Sequence, residues 1–311
     1  MVDASSNLMR ALKSGAFVFT GEVSPQKTSS TGALLESARS LRRCTIACNV
    51  TDNPRARANM SSIAASHLIQ EMAGVEAICQ MTVRDRNRIA LTSDLLGAAS
   101  LGIRNVLTMT GDHTVLGDNP GAKPVYDIDT AQFVKLIRGM VDAGIDLAGN
   151  KIDGKPLLHV GITANPNADP LEPEIAKIER KIDLGAEFIQ TQAVFDMENV
   201  KRFMGAIGSM GVPVILGIFI CRSCSVAELI NRNLPGIKIP DELVSSLKKA
   251  ESNGGRANGE VDRINVDYYG GLIREIRKTT SAAGVHIMAI NYDRIVNALY
   301  EELKSELSLT F

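Results

Sequence analysis

Residues Asn105–His113 read NVLTMTGDH. Val106, Leu107 and Met109 form a short apolar run of the kind a central parallel strand shows. The run stops at Gly111, and Asp112 follows at once. A carboxylate is expensive to bury, so a Gly-Asp pair at the C-terminal tip of such a strand is a place for chemistry. Gly-Asp is also ordinary turn chemistry, and taken alone the pair means no more than that.

Outward from this stretch the same unit recurs. Phe17–Val23, Thr45–Thr51 and Val75–Thr82 precede it as strands; Leu157–Thr163, Glu187–Gln192, Pro213–Ile220 and Val285–Ile290 follow it. Helical spacing fills the gaps. Leu34, Leu35, Ala38 and Leu41 make one stripe. Met60, Ile63, Ala64, His67, Leu68 and Met72 make the next, and Arg88–Ser100 is the third helix. A loop rich in Gly, Asp and Pro, Thr114–Asp127, leads to a helix with Phe133, Ile137, Met140 and Val141 inward. Glu174–Leu184 and a helix bearing Val200, Phe203, Met204 and Ile207 come next. Ser225–Asn233, a helix from Pro240, a polar break at Asn253–Gly259, a long helix to about Ala283 and a last one, Asp293–Leu307, complete the chain.

Six strands are preceded by a glycine expected to end a helix in the left-handed region: Gly74, Gly102, Gly144, Gly185, Gly211 and Gly284. Eight strand-helix units with right-handed crossovers predict an α/β fold, a single (β/α)8 TIM barrel over residues 1–311. An open doubly wound sheet is the alternative. No Gly-rich phosphate fingerprint follows any strand to support it.

Bulk properties limit the function classes. The chain has 311 residues, 45% of them hydrophobic, a net charge of -1 and 4% aromatics. Basic residues are dispersed, so no nucleic-acid surface is expected. No apolar run is long enough to span a bilayer. MVDASSNLMRALKSG at the N-terminus reads as a short amphipathic helix rather than a signal peptide. Five cysteines in so long a chain make no disulfide framework, and a cytoplasmic location is the expectation.

In barrels of this type the active site lies at the C-terminal ends of the strands. Those ends carry Glu22, Thr51, Gln80, Thr82, Asp112, Asn165, Gln190, Gln192, Cys221, Arg222 and Asn291. Glu22 ends an apolar strand, where partial desolvation favours the protonated carboxyl and suits a general acid. Asp112 stands on the same rim, so two carboxyls in different surroundings can divide the work. Each has a plainer reading. Glu22 could pair with a nearby Lys or Arg, and Gln80 and Gln192 could be satisfied core amides. His67 and His286 read as core histidines. His113 has no partner at metal-ligand spacing, and Cys221 and Cys224 form a CxxC pair two ligands short of a zinc site. Cys44, Cys48 and Cys79 read as buried thiols. No metal is expected.

With these residues named, the sequence resembles the methylenetetrahydrofolate reductase family. The resemblance rests on GEVSPQ (Gly21–Gln26), NVTDNPRA (Asn49–Ala56), LGIRNVLTMTGD (Leu101–Asp112), ITANPN (Ile162–Asn167), KIDLGAEFIQTQAVFD (Lys181–Asp196) and LPGIKIP (Leu234–Pro240), and covers nearly the whole chain. It implies a flavoprotein, with FAD or FMN, that reduces 5,10-methylenetetrahydrofolate to 5-methyltetrahydrofolate. By motif, Glu22 looks like the family's general acid, and Asp112 matches the aspartate near flavin and pterin. Gln192 matches the glutamine that holds the pterin, and Asn291 joins it on the substrate side. Thr51, Gln80, Asn165 and Lys181 fall at flavin-contacting positions. Thr82, Thr110 and Gly111 complete the expected cofactor-binding set.

There are departures from the family pattern. Gln80 replaces a histidine of many members, and Thr110 an arginine of some. Around Leu229–Ile230 no aromatic residue stands where some members use a phenylalanine to bind NADH. The implied electron donor is therefore NAD(P)H or an iron-sulfur or zinc partner subunit, in an oligomeric assembly. The RDRNR run, Arg84–Arg88, reads equally as a flavin-phosphate anchor or a solvated helix start. Two other functions share the fold: a pterin-binding methyl-transfer barrel without redox chemistry, and a flavoprotein electron-transfer subunit.

Overall fold

The apolar runs become eight parallel strands because each is flanked by a helix that returns the chain to the same end of the sheet. The computed structural model describes residues 4–233, 238–254 and 259–307. Its strands are β1 (Val18–Val23), β2 (Ala47–Val50), β3 (Ala77–Thr82), β4 (Asn105–Met109), β5 (His159–Ala164), β6 (Phe188–Ala193), β7 (Val214–Phe219) and β8 (Gly284–Met288). They pair in sequence order, and β8 closes onto β1, so the sheet is a closed barrel. The fold is the (β/α)8 TIM barrel that the alternation of elements predicts.

Helices α1 (Asn7–Ser14), α2 (Gly32–Leu41), α3 (Ser62–Ala73), α4 (Arg88–Ser100), α5 (Thr130–Arg138), α6 (Glu172–Asp183), α7 (Met197–Ile207) and α8 (Cys224–Asn233) come in turn. They are followed by α9 (Asp241–Ser252), α10 (Glu260–Thr279) and α11 (Asp293–Leu303). Strong local signals set several ends. Asp129 caps α5 and Gln132 reaches back to close a capping box. Asn87 and Asp196 cap α4 and α7 with their side chains. No helix among the described residues is long and apolar enough to cross a membrane. Residues 255–258 of the Asn253–Gly259 break and residues 234–237 of the LPGIKIP motif lie outside the described residues.

Two expectations are corrected. Gly284 does not end a helix: α10 stops at Thr279, and Gly284 is the first residue of β8. A Cβ there would stand 2.3 Å from the Val18 carbonyl oxygen, so the position is glycine because β1 and β8 approach closely. The other five glycines do take positive φ. The inner face of α3 also differs from its hydrophobic stripe. Ser62, Ala65, Ser66, Ile69 and Ala73 are buried, while Met72 is half exposed. Small side chains let the helix lie close on β3, where Cys79 Sγ sits 3.7 Å from Ser62 Oγ.

Alternation along the strands sorts the residues into an outer core, under the helices, and an inner one. At the N-terminal end the inner core is an apolar floor of Val18, Ala47, Ile78, Leu107, Phe188 and Ile215. Helix α1 closes this end with Leu8, Met9 and Leu12. The Glu76 carboxylate accepts hydrogen bonds from the Asn7 and Leu8 amides at 2.6 and 2.9 Å, which fixes the start of the helix.

Candidate active site at the mouth of the barrel

Two residues beyond the floor, the inward positions turn polar. Thr20, Asn49, Gln80, Gln190 and His286 occupy this layer, and all are buried. One step further come Glu22, Thr51, Thr82 and Gln192. Barrels of this type ordinarily fill these layers with branched apolar side chains. Here several polar atoms stand unsatisfied among the described residues. Asn49 Oδ1, Thr51 Oγ1 and both amide atoms of Gln190 are buried without a hydrogen-bond partner. Each such atom costs about 1–3 kcal/mol, and their concentration under one opening points to a polar ligand that meets them.

Glu22 is largely buried at the tip of β1, its side chain 15% exposed. The Lys or Arg partner of the plainer reading is absent among its recorded contacts. His286, on the neighbouring β8, takes that place, with Nε2 3.6 Å from Glu22 Oε2. The other ring nitrogen, Nδ1, lies 3.0 Å from Thr20 Oγ1. Glu22 opens into a cavity of about 360 Å³ between β1 and β8, which Asn291 also lines. Asn291 takes φ 52°, a conformation asparagine tolerates better than most residues.

A second cavity, of about 380 Å³, lies over the tips of β4, β5 and β6. It gathers Thr110, Asn165, Lys181 and Gln192 from the sequence-derived set. Lys177 and Arg180 line it as well, each paired with a carboxylate of the same lining, Glu174 at 3.6 Å and Asp129 at 3.4 Å, and α5 presents its first residues there. Lys181 is only 8% exposed and has no recorded hydrogen bond. Burial pulls its ammonium below the ordinary lysine range. Glu174 opposes that shift and Lys177 reinforces it. Gln192 owes its aim to a break in register between β6 and β7 after Gln190. Thr191 Oγ1 accepts the Gly217 amide across that break at 2.9 Å. A Cβ at Gly217 would meet the Thr191 carbonyl oxygen at 2.5 Å, so only glycine fits opposite. Gln192 is left exposed at the rim.

Asp112 is exposed, and it lines neither cavity. Its Oδ2 accepts the Arg55 amide at 2.8 Å. That contact holds the loop after β2, where Asn53, Arg55 and Ala56 all have positive φ. Gly111, at φ 84°, lets the chain turn close over Thr82. The structure thus sets Glu22 and Asp112 on one rim but not in one cavity.

The arginine run is paired rather than free, and of its three arginines the one exposed to solvent is Arg88 at the start of α4. Arg84 is buried, pairs with Asp85 at 2.6 Å and donates to the Asp112 carbonyl oxygen at 3.0 Å. Arg86 bridges Asp52 at 2.6 Å and Asp94 at 2.8 Å, and Arg88 pairs with Asp127. Asp52 also accepts the Thr82 amide and hydroxyl, at 2.8 and 3.0 Å. Thr82 and the run therefore brace the loops, a role the sequence reading missed. Asp52 directly after a strand was the only local sign. His113 caps its own turn, with Nδ1 accepting the Val115 amide. All five cysteines are free and buried. Burial raises Cys44, Cys48 and Cys221 to about 12 and Cys79 to about 11, which keeps those thiols protonated.

Fold and site together define a (β/α)8 barrel with its binding face at the C-terminal mouth. Residues 7–304 match the family "Methylenetetrahydrofolate reductase". The chain belongs to the methylenetetrahydrofolate reductase family. It is 24% identical over 245 residues to "Probable methylenetetrahydrofolate reductase (NADPH)" of Caenorhabditis elegans, covering 78% of this chain and 34% of that protein. It is 29% identical over 146 residues to "5,10-methylenetetrahydrofolate reductase" of Salmonella typhimurium, covering 47% of this chain and 44% of that one. The matched region thus spans less than half the length of these curated relatives. Among solved structures, a Clostridium thermocellum protein that binds two copies of 5-methyl-5,6,7,8-tetrahydrofolic acid shares the fold, with TM-score 0.63 and 16% identity. That likeness covers 97% of this chain and all of that one.

Proposed function

We propose that the chain is a single catalytic domain that reduces 5,10-methylenetetrahydrofolate to 5-methyltetrahydrofolate with a bound flavin. The observation that supports this reading is the unspent polarity of the mouth: the unpartnered atoms of Asn49, Thr51 and Gln190 within the barrel, and the Lys181 side chain, largely buried and without a recorded hydrogen bond, lining the cavity over β4, β5 and β6. A flavin fits that chemistry, since it brings hydrogen-bonding ring edges, ribityl hydroxyls and a phosphate. Thr51, Gln80, Thr110, Gly111 and Asn165 would hold it. Lys181 suits the phosphate. The paired cations do not: Lys177 and Arg180 are held by Glu174 and Asp129, and Arg84, Arg86 and Arg88 by their own carboxylates. When bound, the flavin supplies the hydride.

This chain's own residues supply position and protons. Glu22 donates a proton to N10 of the folate, which opens its five-membered ring and leaves an iminium cation. Asp112 is a carboxylate on the same rim and favours that positive charge. Gln192, exposed by the register break, holds the pterin, and Asn291 lines the cavity into which Glu22 opens. The electron donor is NAD(P)H or a partner subunit.

The test is anaerobic purification with identification of any extracted flavin and any co-purifying protein. Turnover is then assayed with NADH, NADPH and a reduced viologen. Flavin release with folate reduction from at least one donor supports the reading. A colourless protein that takes up no flavin on reconstitution overturns it in favour of a methyl-transfer barrel. Flavin without folate reduction from any donor leaves an electron-transfer subunit instead.

A further inference from the structure

Glu22 can act as an acid more than once only if its proton is replaced. We propose that His286, oriented by Thr20, is the positioning residue that returns the proton to Glu22 after each turnover; this rests on the function proposed above. Three observations meet at one place. His286 Nε2 is 3.6 Å from Glu22 Oε2, longer than a hydrogen bond and within ion-pair reach. Its Nδ1 is 3.0 Å from Thr20 Oγ1. The imidazole is 3% exposed and stands in register with Thr20 on one side and Gly217 on the other.

Chemistry decides what this trio does. A threonine hydroxyl both donates and accepts. When Thr20 donates to Nδ1, the ring proton sits on Nε2 and faces Glu22. When Thr20 accepts from Nδ1–H, Nε2 is free to receive a proton. The ring is therefore held in one orientation whichever nitrogen is protonated. After Glu22 has given its proton to N10, the carboxylate takes one from the Nε2–H of the imidazolium. The neutral imidazole then regains a proton from solvent. One proton enters and one leaves in each cycle, and no electron moves. Among the recorded contacts and register partners of the ring, Glu22 on β1 is the charged one; Thr20 beside it and Gly217 on β7 carry no charge.

The experiment uses the flavin-loaded full chain and separates the two half-reactions. In His286→Gln, reduction of the flavin by the donor stays at the wild-type rate. Reoxidation by methylenetetrahydrofolate slows about 10- to 100-fold, within the range for one positioned proton transfer, and its pH profile changes shape. Thr20→Val reproduces part of the slowing and Thr20→Ser restores it, which a purely structural role does not predict. Wild-type rate and profile for reoxidation in His286→Gln overturn the proposal, while a wild-type chain inert to folate overturns the function instead. A readout free of activity covers a variant that fails to fold. The ring nitrogen resonances of His286 in the wild-type chain shift on Glu22→Gln substitution if the pair is coupled. Unchanged resonances refute the coupling.

Discussion

The two ends of this barrel are built from the same strands and treat polar groups in opposite ways. At the N-terminal end the charged groups described near the axis are committed, although Asn105 Oδ1 is buried there without a partner. Glu76 caps α1 and also accepts the Asn105 amide. His159 is fully buried, with Nδ1 3.0 Å from Glu187 and Nε2 taking the Ser5 amide at 3.1 Å. Arg138 reaches the same glutamate at 3.2 Å. Between these groups lies the apolar floor. At the C-terminal end both amide atoms of Gln190, Asn49 Oδ1 and Thr51 Oγ1 are buried without partners, Lys181 is largely buried without a recorded hydrogen bond, and the loop after β2 bends through three residues at positive φ. Satisfied polarity stabilises a fold; unsatisfied polarity and strain persist where a ligand compensates them. The difference separates the half of the molecule that holds it together from the half that does the chemistry.

The sharpest way to break this division is to alter Glu22. Glu22→Gln preserves size and hydrogen bonding but has no proton to give. Folate turnover is expected to fall about 10²- to 10⁴-fold, the range for a positioned general acid. Flavin content and melting temperature stay near wild type. Stopped-flow reoxidation of the reduced flavin by methylenetetrahydrofolate measures this, and a rate within a factor of two of wild type removes Glu22 from the mechanism.

The floor should behave in the reverse manner. Phe188 is fully buried between the strands and α1, with Gly161 leaving room for its ring. Phe188→Ala is expected to cost about 3–5 kcal/mol of stability. The folate half-reaction of the molecules still folded should be unchanged. Urea unfolding beside single-turnover kinetics checks both, and a variant with normal stability and lost activity inverts the assignment of the two ends.

Much of this contrast can be read from the sequence, and the part that cannot has a common cause. The eight strands and the rim positions of Glu22, Asn165 and Gln192 follow from apolar runs ending in polar residues, a local pattern. What escapes is pairing between distant segments. Nothing near Glu22 in sequence announces His286, which reaches it only when β8 closes the barrel. The arginines of RDRNR find Asp52, Asp94 and Asp127 on three other segments, so their charge is invisible as a brace until the loops meet. Helix α3 misleads because its stripe of larger residues is not its buried face. Close packing on β3 selects Ser62, Ala65 and Ser66 instead.

Lys181 tests the mouth at lower cost. If its buried ammonium contacts a phosphate, Lys181→Met weakens flavin binding about 10- to 100-fold, as for a charge-assisted hydrogen bond. Lys177, exposed and paired with Glu174, should matter less when changed in the same way. Fluorescence titration of the flavin-free protein compares the two. Equal, small losses would mean that the phosphate sits elsewhere on the rim.

The smallest expected effect lies at the satisfied end and depends on pH. Burial alone would push the Glu187 carboxyl up. The hydrogen bond with His159, the Val160 amide and Arg138 together outweigh it and hold the carboxyl below the ordinary glutamate range. A carboxyl lowered in the folded state stabilises the fold above its unfolded value, near 4.3. That contribution is lost as pH falls through the folded value. Glu187→Gln therefore destabilises the protein by about 1 kcal/mol at pH 7, and the gap to wild type closes on acidification below about pH 4. Urea midpoints at pH 7 and below pH 4 measure it. A gap that stays constant would show that the network contributes shape rather than charge. The closed end would then owe its stability to Phe188, Ile215 and α1 alone, and the contrast with the mouth would rest on packing instead of on satisfied charge.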